Sequence, residues 1–222
     1  MDENAKSIVM KRLEKTAEAL RKNNMEAYVA NDCTQAVKLV KSLMEKGDVI
    51  ASGGSMSLAE SGVLELIQSG DYKFLDRSKA KDREETEEIY RKAFFSDVYL
   101  TSANAVTENG EIYNVDGNSN RVAAIAYGPA SVIFVVGYNK VVADIDEAVK
   151  RVKKSAAPAN CIRLGIDSAC SKIGECVSLK NGGDMCNGCK ADTRICCNYL
   201  VSAYQRHKGR YKVVLIAEQL GY

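Results

Sequence analysis

The sequence has very little histidine. Among its 222 residues there is one, His207, within the basic run Gln205-Arg206-His207-Lys208. A serine–histidine nucleophile or a histidine-rich metal site would have to use this residue. Its setting is typical of a solvated surface turn, so we discount both chemistries.

A surplus of charge of one sign is also missing, since 31 basic residues balance 29 acidic ones to a net charge of +2. This balance argues against a general nucleic-acid or membrane surface. No apolar run approaches the ~20 residues of a membrane-spanning helix. The first residues lack the apolar core of a secretory signal peptide. We therefore expect a cytoplasmic protein whose partners are neither nucleic acid nor membrane.

The length of 222 residues suits a single domain, 1–222, that begins with an amphipathic helix over 1–24. Strand and helix patterns alternate almost throughout. This alternation predicts an α/β fold with a mainly parallel sheet covered by helices. The N-terminal helix could pack on its own domain or on a second subunit, as in a homodimer. The predicted strands are 25–30, 49–51, 72–75, 97–100, 131–136 and 211–217, and a short helix is expected near 198–205.

A glycine- and serine-rich turn over 52–57 joins one predicted strand to a helix. Ser57 and Glu60 predict a capping box at the start of that helix. A strand, a glycine-rich turn and a helix N-terminus together create an anion site, because the backbone can approach the ligand and present free N–H groups. The alternative is a tight turn that happens to be rich in glycine. The candidate ligand contacts are Gly53, Gly54, Ser55 and Ser57.

The stretch Thr101–Arg121 is long, polar and preceded by a short apolar strand. In α/β folds, binding and catalytic residues often lie on long polar loops at the strand ends. Within it, Asn109-Gly110 predicts a hairpin turn, and Asp116-Gly117 predicts a second turn before a helix that begins at Arg121.

Five separated motifs stand in order along the chain: Gly53–Ser57, Ser102–Ala105, Asp116–Ala123, Tyr127–Pro129 and Val136–Lys140. They resemble the LUD (lactate utilisation) domain family, which was long known only as a domain of unknown function. The resemblance covers nearly the whole chain. It implies a Rossmann-like three-layer α/β/α fold similar to the NagB/RpiA/CoA-transferase group.

The resemblance also implies a metabolic setting. Larger relatives with ferredoxin modules work in the oxidation of lactate to pyruvate. This chain has no such module, so we do not expect a complete dehydrogenase. The implied partners are a small anionic metabolite and iron–sulfur proteins.

The same fold group suggests a catalytic role for Glu108. In its class I CoA transferases a Ser-Glu-Asn-Gly loop supplies a glutamate nucleophile, and Thr107-Glu108-Asn109-Gly110 differs from that loop by one residue. A carboxylate can attack an acyl thioester to form a mixed anhydride. The residues after Gly110 depart from the apolar pair usual there. The alternatives are a structural glutamate of the hairpin turn and a ligand contact without covalent chemistry.

Polar residues near the predicted strand ends complete the candidate ligand site. The guanidinium group of Arg121 suits a carboxylate or phosphate, and Lys140 lies just past a strand end. Asp116, Asn118 and Asn120 could bind hydroxyl groups. The alternatives are a salt bridge between Arg121 and Asp116 that fixes the loop, and a solvated turn for Lys140. The candidate residues are Ser102, Asn104, Asp116, Asn120, Arg121 and Lys140.

Seven of the eight cysteines lie between 161 and 197. In a cytosolic chain such a Cys-rich segment more often binds metal than forms disulfides. Cys186 and Cys189 form a CxxC pair that can grip one ion, and Cys196 with Cys170 or Cys176 would complete four ligands. Four thiolates suit zinc or an iron–sulfur cluster.

Two cysteines of the segment are left outside this predicted site. Cys161 is interpreted as helix-end packing, and Cys197 adjoins Cys196, where two neighbours rarely both face one ion. A metal site that holds an irregular segment together is typically structural. The alternatives are reduced thiols in a loop and a redox-active CxxC pair.

These features lead to three functional hypotheses. The first is a protein of lactate or organic-acid metabolism that binds a small anionic metabolite between the 53–57 loop and the 102–121 stretch. The second is a CoA-transferase-like or sugar-phosphate-isomerase-like enzyme that uses Glu108. The third is a non-catalytic metal or iron–sulfur subunit for electron transfer or scaffolding. The residues alone do not decide between an enzyme and a binding protein.

Overall fold

Strands and helices alternate along the chain in the computed structural model, which describes residues 1–222. The strands are β1 (Glu26–Ala30), β2 (Val49–Ser52), β3 (Lys73–Leu75), β4 (Val98–Thr101), β5 (Ala105–Thr107), β6 (Ile112–Asp116), β7 (Ser131–Gly137), β8 (Val141–Val142), β9 (Asn198–Ser202) and β10 (Tyr211–Ile216). The α-helices are α1 (Glu3–Lys22), α2 (Cys33–Ser42), α3 (Met56–Glu60), α4 (Val63–Gln68), α5 (Arg83–Lys92), α6 (Asn120–Tyr127), α7 (Ile145–Arg151), α8 (Ala157–Arg163) and α9 (Ala169–Ile173).

The larger sheet has six strands in the order β1-β10-β7-β4-β2-β3, and every neighbouring pair is parallel. Alternate residues of β7 divide the core between the two faces. Val132 and Phe134 belong to one buried cluster, and Ile133 and Val135 belong to the other. This division follows because successive side chains of a strand point to opposite faces. The predicted α/β class with a mainly parallel sheet is confirmed.

Helix α1 packs on one face of this sheet. Its residues Leu13, Ala17 and Leu20 join the buried cluster that contains Phe134. The helix begins after Asp2, whose Oδ1 accepts the N–H of Asn4 at 3.0 Å. Of the two placements that the sequence left open, the structure shows the helix packed on its own domain.

A smaller, four-stranded sheet has the order β8-β5-β6-β9 and carries the predicted hairpin. The turn residue Gly110 has a φ of +85°, and a Cβ there would lie 2.6 Å from the carbonyl carbon of Ala19 in α1. Only glycine fits this approach, so the Asn-Gly signal has a packing cause as well as a conformational one.

The prediction of a helix near 198–205 is wrong. Residues Asn198–Ser202 form β9, which pairs antiparallel with β6, and Tyr199 lies opposite Val115. The run Tyr199-Leu200-Val201 is aromatic and branched, which favours a strand once a partner strand is present. The pairing partner lies far away in sequence, so local periodicity did not reveal it.

One long helical segment runs from α7 through a π-helical turn, Val152–Ala156, into α8. Pro158 follows the turn closely and has no N–H for the helical ladder, which disfavours regular α-helix at this point. The segment carries Lys153 and Arg163, which lie beside the two cavities described below.

Candidate functional site

A cleft of about 490 Å³ opens beside the carboxyl ends of the parallel strands. Gly53 directly follows β2, Ser102 directly follows β4, and Lys140 lies three residues after β7. In open parallel sheets ligands bind at this edge, because the loops of neighbouring strands meet there. Nine of the predicted ligand-site residues line the cleft: Gly53, Gly54, Ser55, Ser102, Asn104, Asp116, Asn120, Arg121 and Lys140.

The capping box predicted for Ser57 and Glu60 is wrong. Ser55 is the N-cap of α3, and its Oγ accepts the N–H of Leu58 at 3.3 Å. Ser57 lies inside the helix and is fully buried. Its hydroxyl donates to the carbonyl oxygen of Leu220 at 3.2 Å. Ser57 therefore supports the cleft from beneath instead of lining it.

The two glycines of the 53–57 loop allow arginines to approach the backbone. A Cβ on Gly53 would lie 3.0 Å from Cδ of Arg121. A Cβ on Gly54 would lie 2.2 Å from Nη2 of Arg77 and 3.8 Å from Nη2 of Arg163. The absence of side chains at this turn thus brings two guanidinium groups to one point of the cleft.

Arg121 is held by the loop around it. Its Nη1 donates to Asn114 Oδ1 at 2.8 Å, and its Nη2 donates to Asn104 Oδ1 at 2.9 Å and to the carbonyl oxygen of Val115 at 2.7 Å. A further bond from Nη1 reaches the carbonyl oxygen of Ser102 at 3.3 Å. These bonds engage both terminal nitrogens of the guanidinium group. Arg121 therefore holds in place the loop that forms a wall of the cleft.

The alternative of a salt bridge between Arg121 and Asp116 does not form. Asp116 Oδ2 instead accepts the backbone N–H groups of Arg121 at 2.9 Å and of Val122 at 3.2 Å. These are first-turn donors of α6, which no helical carbonyl can satisfy. Asp116 therefore caps the helix that begins at the predicted turn.

Lys140 is buried, with 4% of its surface exposed, so the alternative of a solvated turn is wrong. Its Nζ donates to Ser57 Oγ at 2.8 Å and to Ser102 Oγ at 3.2 Å. Burial first, and then the nearby charges of Arg151 and Arg121, lower the pKa of Lys140 to about 7. Lys140 therefore titrates near neutral pH at the floor of the cleft.

The cationic side chains of the cleft have no carboxylate partners. None of the ten ion pairs in the protein involves Arg77, Arg121, Lys140 or Arg163. Arg77 donates from Nη1 to the hydroxyl of Tyr90 at 2.8 Å. Asp116 and Asp192 are the acidic residues along the walls. The cleft thus presents an excess of positive charge.

Arg77 and Arg163 were missed in the sequence. Arg77 follows β3 by two residues, so the strand-end position that singled out Lys140 would have found it. Arg163 ends α8 and belongs to no motif. Only the folded chain brings it beside Gly54.

The structure does not bring Glu108 to the cleft. Glu108 lies in the hairpin turn, and its Oε1 accepts from Nε of Arg12 in α1 at 2.6 Å. Lys15 lies 4.0 Å from its other oxygen. The carboxylate is thus paired with α1, as the hairpin-turn alternative expects.

The Cys-rich segment surrounds a second, small cavity of about 30 Å³. Of the predicted metal ligands, Cys170, Cys176, Cys189 and Cys196 line this cavity, and Cys186 is exposed outside it. All eight cysteines are free thiols. No group of three or more His, Cys, Asp or Glu side chains stands at coordinating distances.

Cys161 also lines this cavity, which its interpretation as helix-end packing did not foresee. It is buried in α8, and its Sγ lies 3.7 Å from Sγ of Cys170. Burial first, and then the neighbouring cysteines, raise the pKa of Cys196 to about 12. The five thiols therefore line one cavity, and Cys161 is the buried one among them.

The structure therefore defines an α/β protein with a positively charged cleft at the strand ends and a cysteine-lined cavity beside it. The LUD domain family matches residues 13–216, and the chain belongs to this family. No curated protein matches the chain. None of the helices combines the length and the apolar character that a membrane span requires.

A solved structure shares the fold. It is a DUF162 family protein from Deinococcus radiodurans, and DUF162 is the former name of the LUD family. The two proteins are 15% identical, with a TM-score of 0.51 over 94% of this chain and 98% of that chain. At this identity the likeness concerns the fold alone.

Proposed function

We propose that this LUD-family protein binds a small metabolite with a carboxylate or phosphate group in the cleft between the 53–57 loop and the 102–121 stretch. Its role lies in lactate or related organic-acid metabolism, which the family membership implies. The ligand is held by charge and by hydrogen bonds beside the loop that follows β2, chiefly from Arg77, which follows β3, and from Arg163, at the end of α8.

The observation that carries this proposal is the convergence of Arg77 and Arg163 beside Gly54. Two guanidinium groups that approach one point repel each other, and neither has a carboxylate partner. An anion between them would replace repulsion with charge-assisted hydrogen bonds, which are among the stronger hydrogen bonds in proteins. Arginine forks suit the paired oxygens of a carboxylate or phosphate.

The remaining residues then divide into contacts and supports. Arg77 and Arg163 have donors to offer a ligand, whereas Arg121 uses both terminal nitrogens to hold the loop. Lys140 lies deeper, at the floor, where its ammonium form would add a third positive charge. Asn120 and the hydroxyl of Ser55 also line the cleft and supply neutral donors.

The test compares anions with neutral molecules of similar size. Thermal unfolding of the full chain is followed with lactate against lactamide, and with phosphate or sulfate against glycerol. A ligand at 100 times its Kd stabilises the folded state by ~2.7 kcal/mol. We expect stabilisation by at least one anion and none by its neutral counterpart. Equal shifts for both members of each pair, or no shift, would contradict the proposal.

A second part of the proposed function concerns the Cys-rich segment. Five thiols around one cavity favour a metal centre there, either zinc or an iron–sulfur cluster, and the latter would suit iron–sulfur partner proteins. Elemental analysis and the visible spectrum of the purified protein test this part. Protein without stoichiometric zinc or iron would contradict it and leave the cleft proposal unaffected.

A further inference from the structure

The amine of Lys140 lies in a setting that is unusual for a lysine. Only 4% of the residue is exposed, and it lines the cleft. Buried lysines normally have an acidic partner, but Lys140 forms none of the ten ion pairs. Glu60 is the acid whose charge acts on it, and that carboxylate accepts the N–H of Gly221 at 2.6 Å. Charge pairing therefore does not account for the burial of this amine.

The hydrogen bonds around the amine match its neutral form. Nζ donates to Oγ of Ser57 at 2.8 Å and to Oγ of Ser102 at 3.2 Å. The hydroxyl of Ser57 donates its own proton to the carbonyl oxygen of Leu220, and that of Ser102 donates to the carbonyl oxygen of Ala103. An ammonium group has three N–H donors, whereas a neutral amine has two and a lone pair. Two donors are used here, so the neutral amine keeps a free lone pair and an ammonium would have an unpaired N–H.

The pKa of the amine agrees with this geometry. Burial first, and then the charges of Arg151 and Arg121, lower the pKa of Lys140 from 10.5 to about 7, while Glu60 acts in the opposite direction. A substantial fraction of the amine is therefore neutral at neutral pH. A desolvated lysine beside other cations is a nucleophile that forms imines with carbonyl compounds.

The cleft also supplies a site for a second functional group of the same molecule. Arg77 and Arg163 approach the backbone at Gly54. Ser57, which accepts a hydrogen bond from the amine, lies three residues further along the same loop. Arginine forks suit a carboxylate, and a neutral amine attacks a ketone carbon. A 2-oxo acid carries both groups and therefore matches the arginine pair and Lys140 together.

We infer that Lys140 is a nucleophile that forms an imine with a 2-oxo acid whose carboxylate is held by Arg77 and Arg163. This inference rests on the proposed anion-binding function and narrows its ligand to the class of 2-oxo acids. The new bond joins Nζ to the ketone carbon, and the ketone oxygen leaves as water with the two protons of the amine. The step needs no oxidant or reductant, and addition of water reverses it.

The two serines that accept from Lys140 have distinct parts in this step. Ser102 lines the cleft, and its hydroxyl, 3.2 Å from Nζ, can pass a proton from the nitrogen to the departing oxygen. Ser57 lies beneath the cleft, 2.8 Å from Nζ. A protonated imine keeps one N–H, which the hydroxyl oxygen of Ser57 can still accept.

The test is reductive trapping on the full chain. The protein is incubated at neutral pH with pyruvate or 2-oxoglutarate and with sodium cyanoborohydride, which reduces an imine to a stable secondary amine. Peptide mass spectrometry then locates the modified residue. We expect one adduct per chain, at Lys140. Lys153 is an internal control, because it is also buried and donates to Oγ of Ser178 at 2.8 Å but lines the cysteine cavity.

Variants of the two buried lysines test the assignment. Lys140→Met should be trapped at least about tenfold more slowly, since it lacks the nucleophile, and Lys153→Met should be trapped as the wild type is. Circular dichroism checks that both variants fold, and the peptide map of the wild type assigns the adduct independently of them. Adducts spread over exposed lysines, or wild-type trapping in a folded Lys140→Met protein, would overturn the inference.

The variant Arg77→Gln/Arg163→Gln separates the imine from the anion site. It should be trapped by pyruvate at least about tenfold more slowly, the loss expected for one charge-assisted hydrogen bond, and by acetone, which has no carboxylate, at the wild-type rate. Unchanged trapping by pyruvate would contradict the proposed anion-binding function. An anion-induced thermal shift in the wild type, with no adduct at Lys140, would overturn the imine and leave the proposed function standing.

Discussion

The Nζ of Lys140 lies 2.8 Å from Oγ of Ser57, and both atoms are buried beneath the cleft. Ser57 belongs to the loop and helix after β2, whereas Lys140 follows β7. Ser102, after β4, lies 3.2 Å from the same Nζ. One amine therefore ties together the three strand ends from which the cleft is built.

This position makes anion binding sensitive to pH. The pKa of Lys140 is lowered from 10.5 to about 7 by burial first, then by Arg151 and Arg121, with Glu60 acting in the opposite direction. A bound anion favours the ammonium form and raises the pKa again. By linkage, affinity is greatest below about pH 7 and falls as the pH rises above it.

We predict that lactate, which stays ionised throughout, binds more tightly at pH 6 than at pH 9. Titration calorimetry at both pH values measures the difference. In Lys140→Met the ratio of the two affinities should approach one. A Lys140→Met protein with the full wild-type pH dependence would show that another group is responsible.

The same lowered pKa has a consequence for stability. The folded state favours the neutral amine, whereas the unfolded chain keeps it protonated up to about pH 10.5. The unfolded state therefore binds more protons between about pH 7 and pH 10.5, and Lys140 contributes a free energy of unfolding that rises with pH across this window. The free energy of unfolding of the wild type minus that of Lys140→Met, measured in denaturant, should therefore be larger at pH 10 than at pH 7.

We predict that Arg121 stabilises the fold of the 102–121 stretch and does not contact the ligand directly. Arg121→Ala removes the side-chain donor from Asn114 Oδ1 and from the carbonyl oxygen of Val115. Asn104 Oδ1 loses one of its two donors and keeps the N–H of Val115. Because unmet buried acceptors cost ~1–3 kcal/mol each, we expect the free energy of unfolding to fall by ~2–4 kcal/mol. Denaturant unfolding measures this. A stable Arg121→Ala variant that merely fails to bind anions would assign Arg121 to the ligand instead.

Glu108 is predicted to be dispensable for anion binding. Its pair with Arg12 is partly exposed, with 28% and 42% of the two side chains accessible, so Glu108→Gln should lower stability by less than ~1 kcal/mol. Arg12→Gln should have a similar effect, and the double variant should add little. An acyl adduct on Glu108 after incubation with an acyl-CoA, seen by mass spectrometry, would restore the enzyme hypothesis.

The sheet and the hairpin could be predicted because their signals are local. The apolar run of β7 and the Asn-Gly turn at 109–110 each indicate their structure within a few residues. β9 could not be predicted in this way, because its strand character depends on pairing with β6. A pattern of three or four residues at 198–202 does not contain that information.

The residues of the candidate site fall into the same two classes: those with a local sequence signal and those whose position depends on packing. Gly53 and Lys140 were found because strand ends and glycine turns are visible in sequence. The inward side chain of Ser57 and the approach of Arg163 to Gly54 depend on how α3 and α8 pack. Glu108 illustrates the opposite case, since a four-residue match suggested chemistry at a carboxylate that the fold pairs with α1.

The most direct test of the account is titration of lactate and phosphate into the double variant Arg77→Gln/Arg163→Gln. The matched control is Arg83→Gln/Arg91→Gln, which removes two exposed arginines that pair with Glu87 on α5. We predict that the control binds as the wild type does, and that the cleft variant binds at least about tenfold more weakly, the loss expected for one charge-assisted hydrogen bond. Wild-type affinity in the cleft variant, with its fold intact, would contradict the account.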